Sequence, residues 1–138
     1  MKLRLCFLAL ILIPQVLNAQ IPDVKIPYSI KQYFKLNRVS PELVCVDLFD
    51  HPETGRTIRV KIVSRRNETA KDLAIAFAAA AAVANMAEPD IELLWVEMEV
   101  NFKDNEITMA LAPAKCTIDA LIINCETERW WQDCLEFP

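Results

Sequence analysis

Asp50, His51 and Glu53 stand within four residues of one another, and no other stretch of the chain sets a histidine beside carboxylates. Such a set can ligate a metal weakly or exchange protons near neutral pH. His51 is the only histidine in 138 residues, so a catalytic triad or a histidine-based zinc site would rest on it alone. Pro52 and Gly55 mark the same stretch as a turn, and a solvated turn accounts for the histidine without chemistry. No metal site is expected. The tip formed by Asp50, His51, Pro52, Glu53 and Arg56 is instead a candidate contact loop that would enter a partner's cleft.

Glu97 and Glu99 are the next candidates. Two residues apart on a strand, their backbones lie about 6.5–7 Å from each other, near the carboxylate separation of inverting glycosidases. Alternating glutamates are also what a solvent-facing strand carries. Arg59 and Lys61 are placed to pair with them across strands. Hydrolysis of envelope polysaccharide is thus a third reading, behind two that need no catalysis.

Cys45, Cys116, Cys125 and Cys134 are an even set without a C-x2-C pair, which favours two disulfides over zinc or thiol redox chemistry. Three connectivities are open. Cys125–Cys134 is favoured as a local staple, leaving Cys45–Cys116 to tie the tail to an early strand. Each bridge would contribute about 2–4 kcal/mol. Trp95, Trp130 and Trp131 can form an aromatic surface for a sugar or peptide, or can fill the core and cover the bridges. The single glycine excludes dinucleotide fingerprints, phosphate loops and nucleophile elbows, which need several. No cofactor is expected.

These residues are carried by a short series of elements. Lys2 and Arg4 precede an apolar run over Leu5–Ile13, with Asn18-Ala19-Gln20 beyond it. This has the form of a secretory signal peptide over 1–19, cut after Ala19. Nine apolar residues are too few for a bilayer, which needs about 20, so no membrane span is expected once the signal is removed. The expected location is periplasmic or extracellular, where thiols pair. Residues 20–42 read as an arm punctuated by Pro22, Pro27 and Pro41, with a short helix from about Ser29. Residues 43–138 read as one domain.

Within that domain, Val44, Val46 and Leu48 alternate along a first strand, and Ile58, Val60 and Ile62 along a second. Thr69 to Ala87 reads as a helix stopped by Pro89, with Thr69 and Asp72 as a capping box. It is apolar almost all round, so it must be covered on more than one side. Leu94, Val96, Met98 and Val100 share one face of a third strand, and Ile107, Met109 and Leu111 one face of a fourth. Residues 117–124 suit a fifth strand or a short helix. The fold expected is α+β: an antiparallel sheet of four or five strands, in the order β-β-α-β-β, with the Ala-rich helix on one face.

The charge is uneven. Residues 20–71 hold 10 basic and 6 acidic side chains, and residues 72–138 hold 3 and 13. Nucleic acid is not an expected partner of so acidic an exported chain. The partners expected are another exported protein and, through the Ala-rich helix, a second copy. The functional expectation is a non-catalytic interaction or accessory domain, or else an inhibitor of an exported hydrolase acting through the loop at 50–56. Asn67-Glu68-Thr69 also matches the N-glycosylation sequon.

Overall fold

The computed structural model describes residues 20–38, 41–101 and 105–138. The signal segment 1–19 and the turn at Lys103 and Asp104 lie outside the described residues. Helix α1 (Ile26–Asn37) is followed by strands β1 (Glu42–His51) and β2 (Gly55–Ser64), helix α2 (Thr69–Ala84), and strands β3 (Leu93–Asn101) and β4 (Asn105–Pro113). Helix α3 (Ala114–Thr117) runs on as a π-helical stretch, Ile118–Ile123, and α4 (Thr127–Asp133) closes the series.

The four strands form one sheet in the order β1-β2-β3-β4. The two hairpins are antiparallel, but β2 and β3 run parallel, so the sheet is mixed and not antiparallel throughout. The crossover helix is the reason. Parallel neighbours need a long connection that carries the chain back to the starting end. The 16 residues of α2 rise about 24 Å, close to the roughly 26 Å spanned by the eight paired positions of β2.

One sheet face is the core face. Val46, Ile58, Val60, Ile62, Leu94, Val96 and Met98 are buried there. Four expected core positions point the other way. Leu43 pairs with Ile62 and Cys45 with Lys61, so Val44 is the extra residue of a bulge and is exposed. In β4, Ala110 and Ala112 stand opposite Val96 and Leu94 on the core face, and Ile107, Met109 and Leu111 lie on the outer face. Alanine suits the inner side because the C-terminal helices return over this end of the sheet, where Ala114 and Ala120 are also buried.

Helix α2 lies against the core face and is wrapped by the rest of the chain. Ala76, Phe77 and Ala79 to Ala84 are buried, and only Ala74, Ile75 and Ala78 keep partial exposure along its apolar length. Its neighbours are β2 and β3, α1, α3 and the π-helical stretch. Only Ala74, Ile75 and Ala78 of its apolar length are therefore left for contact with a second copy. Its capping box is not formed either. Asp72, buried, accepts a hydrogen bond from Ser64 Oγ at 2.6 Å.

The segment before β1 is built into this body. Pro27 lies in the first turn of α1, Ile26 and Ile30 are fully buried, and Arg38 ends the helix in the left-handed conformation. Ile21 adds a backbone bridge to Ala87. The tail from Ala114 is helical and holds no fifth strand. Ala114, Thr117, Ala120 and Leu121 are buried at the spacing of one helical face. Trp130 is fully buried against Phe77, with ring centroids 5.2 Å apart, and its Nε1 donates to Thr117 Oγ1.

Cys116 bonds Cys134, so neither expected pairing is formed, and Cys45 is a free thiol. The register of β1 explains the latter. Cys45 sits opposite Lys61 on the outer face, while Cys116 lies under the helices. Cys116 and Cys134 have Cα atoms 5.7 Å apart because α4 folds back across α3.

Candidate functional site

The described helices pack on the core face, and none of them packs on the other face of the sheet. Four rows cross it. The central row reads Asp47, Arg59, Trp95 and Leu111, and the next reads Cys45, Lys61, Glu97 and Met109. Strand alternation brings these residues together, since each is an even number of positions from the next outward residue on its own strand.

Arg59 is the centre of the face. Its guanidinium carbon lies 5.5 Å from the Phe49 ring centroid and 5.8 Å from that of Trp95, and the two rings meet edge to face at 6.1 Å. Nη2 and Nε donate to Asp47 Oδ2 at 2.7 and 3.2 Å, and Glu97 Oε1 lies 4.0 Å away. The Asp47 hydrogen bonds push the guanidinium pKa up. The result is a planar cation held between aromatic rings and an acid, an arrangement that suits Arg and not Lys. Trp95 Nε1 is buried and has no hydrogen-bond partner among the described residues.

Apolar positions surround this polar centre. Met109 is 41% exposed, Val44 51% and Ile107 62%, all on this face. Val44 on β1 and Ile107 and Met109 on β4 lie at the two margins of the face, with Lys61 and Glu97 on the strands between them.

The tryptophans do not form one surface. Trp95 belongs to the sheet face, Trp130 to the core, and Trp131 lies exposed on α4, 6.3 Å from the Phe137 ring. Neighbours on a helix point about 100° apart, so one of the adjacent pair faces in and the other out. Glu97 is tied to Lys61 Nζ at 3.8 Å and to Arg59 Nη1 at 4.0 Å.

The hairpin tip is a separate feature. Its loop is three residues, Pro52 to Thr54, closed by Gly55 at φ +80°. A side chain at Gly55 would also meet the Glu92 carboxylate. His51 Nδ1 accepts hydrogen bonds from the amides of Glu53 and Thr54 at 3.1 and 3.3 Å. The histidine is therefore a brace for the turn. Asp50, Pro52 and Glu53 are exposed, whereas Arg56 turns back to an ion pair with Asp23. No group of three or more metal-ligating side chains exists among the described residues. No described helix is long and apolar enough to cross a membrane.

Sequence patterning placed Arg59 and Lys61 to pair with Glu97 and Glu99; Glu97 takes both cations, and Glu99 takes neither among the described residues. Phe49 and Asp47 were legible only as strand residues, because their meeting with Arg59 depends on register. No family model, no curated protein and no solved structure matches this chain.

Proposed function

We propose that this protein is a small exported interaction domain that acts without catalysis, and that its contact surface is the open face of the sheet. The observation that carries this reading is the Arg59 cluster, with exposed Val44, Ile107 and Met109 at the margins of a face that no described helix covers. Aromatic and Arg side chains are the residues that dominate protein–protein contacts. Export rests on the residues of the first segment, and the Cys116–Cys134 bond is consistent with an oxidising compartment.

A photo-cross-linking residue placed at Lys61 or Glu99, in cells that export the full chain, should give one discrete adduct with another exported protein. The adduct should disappear with Arg59→Glu. A cross-linker at Lys35, on α1, should give none. Equal labelling from Lys35, or adducts indifferent to Arg59→Glu, would remove the open face from consideration.

A second reading has its own support. The tip at Pro52 and Glu53 is exposed and held in one shape by His51 and Gly55, as an inhibitor loop entering a hydrolase cleft would need to be. A cross-linker at Glu53 that captures an exported hydrolase, with none captured from Glu99, would favour it.

A further inference from the structure

We infer that the free edge of β4 accepts an added strand, an extended segment of another exported protein in which basic residues alternate with apolar ones. This rests on the interaction-domain reading and names the form its partner takes. In an antiparallel pair, residues alternate between those that exchange both backbone hydrogen bonds with the neighbour and those whose N–H and C=O point away. Leu111 is of the second kind: its N–H donates to Glu136 O at 2.8 Å, and its C=O accepts from Glu136 N–H at 2.7 Å. Met109 and Ile107, two and four residues earlier, point their backbone groups the same way. Those groups have no backbone partner among the described residues, and the tail bridges the edge only at Leu111.

Edge strands are normally blunted by Lys, Pro or a bulge. From Glu106 to Ala112 this edge has no Lys, no Pro and no break in its pairing with β3. Its outward side chains Ile107 and Met109 are exposed and lie at the margin of the open face.

Charge selects the occupant. Glu99 pairs with Ile107 across the ladder, Glu106 lies on β4 itself, and Glu136 sits at the bridge. None of the three has an ion-pair partner among the described residues. A second copy would bring no Lys or Arg to this edge, since the stretch from Glu106 to Ala112 holds none, and so would leave Glu106 without a counter-charge. A strand carrying Lys or Arg on the face of Glu106 and apolar residues on the face of Ile107 and Met109 satisfies both patterns. Backbone pairing would give affinity and alternate side chains specificity.

The test uses the protein exported from its full-length gene and two ten-residue probes, one alternating Val and Lys and one alternating Val and Glu. The Val/Lys probe should bind, slow amide hydrogen exchange at Ile107 and Met109 at least tenfold, and weaken severalfold between 50 and 500 mM NaCl. The Val/Glu probe should leave exchange unchanged. Ile107→Pro and Met109→Pro each remove one outward N–H without touching the ladder to β3, so each should abolish the protection at an unchanged melting temperature. If one variant fails to fold, the other carries the test. Protection of these amides without probe, together with a dimer by light scattering, would overturn the inference in favour of a second copy. Absence of protection with the Val/Lys probe would also overturn it. In that case, adducts from Lys61 that persist would show that the open-face reading survives without the edge.

Discussion

Arg59 holds its place by shape as much as by charge. Lysine would keep the positive charge opposite Asp47 but lose the planar fork and the contact with both rings. Arg59→Lys should therefore cost about 1 kcal/mol in urea unfolding, while Lys61→Arg, at a more ordinary surface pair, should be near neutral. Equal effects at the two positions would show that the ring contacts contribute nothing. Tyr33 gives a pH signature of a different origin. Burial raises its pKa above the ordinary 10.0, because the folded state disfavours the phenolate. The unfolded chain loses this proton first, so stability is intact below pH 10 and falls as pH rises through the folded value. Tyr33→Phe should flatten that alkaline decline, as urea midpoints at pH 8 and above pH 10 would reveal. Residue types alone showed where Arg59 and His51 lie in the chain. They could not show that the histidine braces its own turn, since that depends on the φ of Gly55 and the closeness of two amides.

Among the elements, the α4 segment is held by two devices. Cys116–Cys134 closes a loop with a sequence separation of 18, and Trp130 fills the core beneath it. Arg129 adds an outer tie, to Asp119 and to Glu126 at 2.8 Å, and the Asp119 hydrogen bond pushes its pKa up. Replacing both cysteines with alanine should cost about 3 kcal/mol and increase solvent quenching of tryptophan fluorescence as α4 frays. A variant with unchanged stability would mean that packing of Trp130 alone holds the tail. The strands, the long helix and their order were legible because alternation and apolar periodicity are local properties. The parallel pairing of β2 with β3 was not, because it depends on where α2 delivers the chain. Nor was the facing of β4: Ile107, Met109 and Leu111 alternate as an inward set should, yet alanines take the core side because helices approach closely there. The bulge at Val44 likewise adds one residue that no alternation pattern announces.

For the molecule as a whole, charge and core tell different stories. Arg59 and Lys61 of the basic half pair with Glu97 of the acidic half, while Asp90, Glu92, Glu106, Glu126, Asp133 and Glu136 are exposed, so much of the acidity of the second half stays on the surface. The core, in contrast, is shared from Ile26 to Cys134. Residues 20–38 are therefore not a detachable arm. Deleting them removes Ile26, Ile30, Tyr33 and Phe34 from one cluster, and should abolish the cooperative urea transition. A truncated chain that still unfolds in one sharp step would show that the body after Pro41 is self-sufficient. The Leu111–Glu136 bridge has a practical outcome for anyone handling this protein. Because the tail runs antiparallel to β4, residues fused after Pro138 would be aimed along Met109 and Ile107. An affinity tag at that terminus would lie over the surface it was meant to help study, and a binding screen done with it would report silence for a reason of its own making.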